Sequence, residues 1–188
     1  MKVLLPLALV LLLLPGSCAS QPPSPPEVQL DQQPLYLNDT YENLNKSLES
    51  EVKTGQVEVK QFKNRLQVTL VNEILFPESG WEVGPKGIEV LMKVAPSLEN
   101  LNGKRIIVQG FTDNGPVDET LRTRFPTNWE LSASRATNVV RHLQAQGVDP
   151  GTLAAEAFGQ YHPVVPNDTL EGRRKNQRII IVIEDAEM

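Results

Sequence analysis

The chain has 188 residues, 18 Lys and Arg against 23 Asp and Glu, one cysteine, and 40% apolar residues. That length suits one domain with appendages, and a net charge of -5 excludes a dedicated nucleic-acid binder, which would carry a basic surplus. One cysteine excludes an internal disulfide framework and any site built from several thiolates.

Met1-Lys2 is a short positive start, and Val3 to Leu14 follows without a charge. A helix needs about 20 apolar residues to span a bilayer, so this run reads as the core of a signal peptide, residues 1–18. Gly16 and Ser17 before Cys18 look like a lipobox, whose cysteine is lipid-modified after cleavage. Ser17 and Ala19 also satisfy the small-x-small rule for ordinary cleavage after Ala19, so two processing routes are open. Pro22-Pro23-Ser24-Pro25-Pro26 cannot join a helix or sheet, and residues 19–35 read as an extended linker.

Leu37, Tyr41, Leu44, Leu48 and Val52 recur at helical spacing behind caps at Asn38 or Asp39, which predicts an amphipathic helix over 36–54. Its stripe either packs on the domain or serves as a short dimerising coil or partner surface. Residues 55–188 form the domain proper. Val57 and Val59, then Leu66, Val68 and Leu70, alternate with polar residues around Lys63-Asn64-Arg65, a hairpin pattern.

Ile74-Leu75-Phe76 ends at Pro77, with a loop at Ser79-Gly80, and a helix from Pro85 buries Ile88, Leu91, Met92, Ala95 and Leu98. Arg105 to Gln109 is a strand, and Asp113 to Thr127 has no periodicity. Thr127 with Glu130 makes a capping box for a helix whose stripe is Trp129, Ala133, Ala136, Val140 and Leu143. Leu153 to Phe158 reads as a strand. Asn167 or Asp168 caps a short turn around Thr169 to Lys175, and Ile179 to Ile183 is a central strand buried on both faces. Strands alternating with helices predict an α/β fold, an α+β sandwich with helices packed on one face of the sheet.

Three segments carry polar groups that a scaffold does not need. Thr112-Asp113-Asn114 lies just past a strand end, where open sheets commonly meet ligands. Asn128, Ser132 and Arg135, spaced four and three apart, share one flank of the capped helix. Arg173, Arg174, Lys175 and Arg178 precede the last strand; the first three read as a solvated face, and Arg178 as either a site residue or a partner for a sheet-edge carboxylate. His142 and His162 stand apart without carboxylate or thiolate neighbours, so neither a metal nor a cofactor is implied.

Gly110-Phe111-Thr112-Asp113-Asn114, Asn128-Trp129-Glu130-Leu131-Ser132-Ala133-Ser134-Arg135-Ala136, and Pro166 to Arg178 together resemble the OmpA-like (OmpA/MotB C-terminal) peptidoglycan-binding domain, in its order and spacing, from about Val57 to Glu184. The resemblance implies a βαβαβ-type mixed sheet and non-catalytic binding of meso-diaminopimelate in the stem peptide of peptidoglycan. By the same likeness Asp113 receives the ligand ammonium and Arg135 its carboxylate. Thr112 and Asn128, with the helix-start amides near Leu131 and Ser132, add donors, and Arg178 flanks the pocket. A zwitterionic head asks for such a pair, one anion and one forked cation.

Phe111 stands where the family often has His, and Gln177 at the middle of its Asn-Arg-Arg pattern, where Arg174 and Lys175 would compensate. With the N-terminal segment, these features make the chain an expected outer-membrane lipoprotein facing the periplasm, anchored through Cys18 and tying membrane to cell wall. A periplasmic protein follows if cleavage falls after Ala19. The alternative role is an accessory anchor of a larger envelope complex, with a protein partner on the 37–52 helix. An enzyme is not expected, since no Ser/His/Asp, free Cys or metal pattern is present.

Overall fold

The computed structural model describes residues 33–186; the expected signal peptide, Cys18 and the expected linker as far as residue 32 lie outside the described residues. The sheet is built from five strands: β1 (Val57–Gln61), β2 (Arg65–Val71), β3 (Lys104–Phe111), β4 (Leu153–Gly159) and β5 (Arg178–Asp185). Their order across the sheet is β1-β2-β5-β3-β4. β1 and β2 form the expected hairpin, with Val57 opposite Leu70. β5 lies antiparallel between β2 and β3, and β4 joins β3 in parallel, so the sheet is mixed.

The helices are α1 (Gln33–Ser47), α2 (Glu49–Lys53), α3 (Asn72–Leu75), α4 (Pro85–Val94), α5 (Glu119–Arg122), α6 (Asn128–Ala145) and α7 (Leu170–Asn176). β2 alternates buried and less buried positions, as a strand with one covered face must, whereas Ile179 to Ile183 of β5 are buried on both faces. On the main face Leu66, Val68, Leu70, Ile106, Val108, Ile179 and Ile181 meet Leu44 and Leu48, Leu91 and Val94, and Ala136, Val139 and Leu143. The opposite face carries a smaller apolar group, Ile107, Phe111, Ile180 and Val182 against Ala154 and Phe158. The fold is thus the mixed α/β sandwich expected.

Several element details differ from expectation. α1 begins at Gln33, ahead of Asn38 and Asp39, which are exposed within it. The stripe of α1 is spent on the domain: Leu37, Leu44 and Leu48 are buried in the main core. Its apolar stripe thus packs on the domain, and among the described side chains Asn38, Asp39 and Glu42 face outward.

α4 buries Gly87, Val90, Leu91 and Val94, a face at spacings of three and four, while Met92 lies one step past that face and is exposed. α6 is turned so that Leu131, Ser132, Arg135, Ala136, Val139 and Leu143 face inward and Trp129 stands out. The flank read as polar is therefore part of the buried face. α7 is capped by Thr169, whose hydroxyl accepts from Gly172 N, in place of Asn167 or Asp168.

Leu44 is 0% exposed, so its truncation opens a cavity between α1 and the sheet. Leu44→Ala is expected to lower unfolding free energy by about 2–5 kcal/mol, read by denaturant titration. A change near zero would mean that α1 does not belong to the cooperative unit.

Candidate functional site

β3 runs to Phe111 and delivers Thr112-Asp113 at its carboxyl end, and α6, which crosses over to β4, starts beside it. The helix lies so close to β3 that a Cβ on Gly110 would meet the Ser132 carbonyl oxygen at 2.3 Å. Only glycine fits there. Thr127 closes the helix start with the capping box read from the sequence: its hydroxyl accepts from Trp129 N, and its own N–H donates to Glu130 at 2.9 Å.

Beside this junction is a cleft of about 630 Å³, within the range of ligand sites. Thr112, Asp113, Asn128, Leu131 and Arg135 all line it, so five of the expected residues converge. The Thr112 N–H donates to Gly159 O at 2.9 Å, fixing the end of β3 on β4. Asp113 Oδ1 accepts from Gly115 N at 2.8 Å and Oδ2 from Gln177 Nε2 at 2.7 Å. Each carboxylate oxygen has a second lone pair for another donor.

Asn128 donates through Nδ2 to Gly115 O at 2.9 Å and to Gln160 Oε1 at 2.8 Å, clamping the loop after Asp113 to the helix start. Arg135 is 7% exposed, packs over the Phe76 ring at 5.4 Å, and donates through Nε and Nη2 to Gly80 O. Burial pulls its guanidinium down to about 10, and the nearby Asp113 charge acts in the other direction. It stays charged at neutral pH, with donors beyond those given to Gly80.

Three expectations are corrected. Ser132 does not line the cleft: it is fully buried, donates to Trp129 O and accepts from Gly159 N, pinning α6 to β4. Leu131 reaches the cleft as an apolar wall; its amide donates to Thr127 O, because the fourth residue of a helix already has a carbonyl partner. Arg178 lies away from the cleft, stacked over Phe111 at 3.9 Å and bonded to the carbonyls of Asn176 and His162. Adjacent residues entering a strand point to opposite faces, so at this end of β5 Gln177 takes the cleft side and Arg178 the other. The same stacking gives Phe111 its partner: it contacts Phe158 and Arg178 on the far face.

Some cleft residues were given other roles, or none, by the sequence. Gln177 does itself what was assigned to compensating cations, since it binds Asp113 directly. Arg173 and Arg174, read as a solvated face, line the cleft, and Arg174 pairs with Glu73 at 2.7 Å; Lys175 pairs with Glu171 in the open. Phe76, Pro77 and Ser79 form the opposite wall, and Gly80 beside them carries the carbonyl that holds Arg135. The only signal for that wall was an apolar run ending in proline and glycine.

The unpatterned 113–127 stretch is held by its own apolar group, Val117, Phe125 and Leu131 with Trp81 and Leu121, and Arg124 lies over Trp81 at 3.9 Å. Ser79 donates to Asp118 at 3.0 Å and joins the two walls. The lining carries Glu73, Glu78, Asp113 and Asp118 against Arg135, Arg173 and Arg174. That near balance suits a ligand bearing both signs of charge.

This mixed sheet with a strand-end cleft defines a ligand-binding α/β module. The sequence matches the OmpA family over residues 75–177, and the chain belongs to that family. It is 46% identical over 90 residues to motility protein B of Helicobacter pylori, a match covering 47% of this chain and 34% of that protein. It is 34% identical over 110 residues to the peptidoglycan-binding protein ArfA of Mycobacterium tuberculosis, covering 58% and 32% respectively. The chain thus spans about a third of these two curated relatives, 34% and 32% of their lengths. Among solved structures, the cell wall anchor of the T6SS from Pseudomonas aeruginosa superimposes with a TM-score of 0.69 at 31% identity, covering 76% of this chain and 97% of that one.

Gly110→Ala is expected to force α6 off β3, costing about 1–3 kcal/mol. The drop in Tm should come with shifted amide signals at Thr112, Asp113 and the first turns of α6. Unmoved signals there would show that the Gly110–Ser132 approach does not set the site.

Proposed function

We propose that the cleft binds the diaminopimelate of a peptidoglycan stem peptide without catalysing its conversion, and so fastens this chain to the cell wall. The observation that carries it is Asp113 and Arg135 on one cleft, each fixed by neighbours and each with bonding capacity left over. An amino-acid head carries an ammonium and a carboxylate on one carbon. Asp113 takes the ammonium, and the free side of the Arg135 guanidinium takes the carboxylate. Burial of Arg135 strengthens this contact, because charge pairs attract more strongly out of water. Thr112, Asn128 and Leu131 shape the floor. Gln177 holds the Asp113 carboxylate in place.

Support comes also from the relatives: ArfA is a peptidoglycan-binding protein, and the Pseudomonas structure is a cell wall anchor. The membrane side of the tether is assigned to Cys18, as an outer-membrane lipid anchor facing the periplasm. A second reading is favoured by the Pseudomonas structure, the cell wall anchor of the T6SS: service as the wall anchor of a larger envelope complex. Both readings use the same cleft and differ in what the N-terminal region is joined to.

Asp113→Ala and Arg135→Met are each expected to weaken binding to purified sacculi by about 10- to 100-fold, the loss of one charge-assisted contact. Co-sedimentation checks this; variants that sediment like the parent would remove the reading, and release of soluble muropeptides by the pure protein would end its non-catalytic part. Binding should hold from neutral pH to about 9. It should then fall as pH rises through about 10, where the ligand ammonium and the Arg135 guanidinium both lose their charge. A titration series that stays flat past pH 11 or so would take Arg135 out of the contact.

A further inference from the structure

Asn72 opens α3 and stands in the wall of the cleft. It is 5% exposed, and neither its side-chain oxygen nor its side-chain nitrogen has a hydrogen-bond partner. Its backbone, by contrast, is fully used: its N–H donates to Gln177 O at 3.0 Å, and its carbonyl accepts from Phe76 N at 2.8 Å. Two other buried side chains have an orphaned atom, but both are otherwise engaged. Glu51 pairs with Lys93 through its other oxygen, and Arg178 uses both terminal nitrogens. Among the described residues, Asn72 is the buried side chain left with both polar ends idle.

A buried amide without partners costs stability that an apolar residue of the same size would restore. Leucine has nearly the shape of asparagine, so packing alone gives no reason for the amide. Such a group makes sense where a partner arrives from outside. We infer that Asn72 is the subsite for a peptide group of the bound ligand, next to the amino-acid head. This rests on the reading that Asp113 and Arg135 hold that head.

The chemistry matches: a carboxamide offers a donor and an acceptor, and a peptide group presents the complementary acceptor and donor. A neutral amide would be a poor partner for a second charged end. The placement matches too, because Gln177 bonds the Asn72 backbone on one side and the Asp113 carboxylate on the other. The subsite is therefore one residue away from the head site. A cleft of about 630 Å³ has room beyond the head for the chain that carries it.

Both amide atoms are sealed in the free protein, so the side chain must turn about its own torsions into the cleft as ligand enters. The flanking Glu73–Arg174 pair is some 60% exposed on each side and offers little resistance to that movement. The turn exchanges a partnerless amide for a bonded one, so ligand binding is favoured by the full difference.

The test uses the purified chain, its Asn72→Leu and Asn72→Ala variants, and two ligands followed by NMR: free meso-diaminopimelate, and a stem tripeptide in which it is joined through a peptide bond. Free diaminopimelate should bind all three proteins alike. The tripeptide should bind both variants about 10-fold more weakly than the parent, one hydrogen-bonded group being lost. Asn72→Leu should raise Tm by about 2–8 °C, the mark of an amide that serves no bond in the free fold. If the parent binds both ligands and the variants keep full tripeptide affinity, this inference falls and the head site stands. A lowered Tm for Asn72→Leu would also overturn it, by showing the amide to be structural. A parent that binds neither ligand overturns the underlying reading, and this one with it.

Discussion

The contact between the end of β3 and the second turn of α6 governs the rest of the site. Gly110 leaves room for the Ser132 carbonyl, and Ser132 in turn holds Gly159 at the end of β4. Strand, helix and returning strand thereby meet within one residue of each other. Asp113 comes from the strand side of this junction and Arg135 from the helix side. Their separation is set by backbone packing, which is stiff, and not by the rotamers of two long side chains. A site placed this way can hold two unlike charges apart without letting them neutralise each other. No direct ion pair forms between them: Arg135 is occupied by the Gly80 carbonyl and Asp113 by Gln177 and the Gly115 amide.

Much of this was legible in sequence, and the part that was not has physical causes. The hairpin, the all-apolar β5 and the capping box of α6 announce themselves through local periodicity and spacing. Asp113, Asn128 and Arg135 stood out because their types and spacing are poorly explained by scaffold needs. The facing of α6 was misjudged at Trp129, apolar yet exposed, while the charged Arg135 beside the stripe is buried outright. Hydrophobicity cannot foresee that inversion, since it depends on Phe76 and Gly80, far away in the chain, offering a ring and a carbonyl. Ser132 and Arg178 were mistaken for ligands for a related reason. Polar side chains that serve backbone carbonyls or amides look, in sequence, the same as those that serve a ligand.

The 72–80 segment shows the opposite failure. It reads as an apolar run, a proline and a loop, with nothing to mark a site. In the fold it lies across from Asp113 and supplies the far wall of the cleft. Long-range partners of this kind come from topology: β2 sits beside β5, so the residues that leave β2 arrive next to the residues that enter β5. Asn72 and Gln177 are those residues, and their backbone bond joins the two ends.

The buried charge of Arg135 is a cost that folding alone would avoid. Drawing its proton affinity down to about 10 corresponds to a penalty on the order of 3 kcal/mol while it is charged. The sign follows from linkage: the folded state gives up the proton before the unfolded one, so the penalty is complete below about pH 10 and is relieved above it. At neutral pH the fold carries the whole of it. The orphaned amide of Asn72 adds a second cost on the same cleft. Scaffold requirements explain neither, while each supplies a bonding group that an incoming zwitterion or peptide can use. Arg135 and Asn72, both costly to the fold, line one cleft, and a ligand that bonds them there recovers part of that cost.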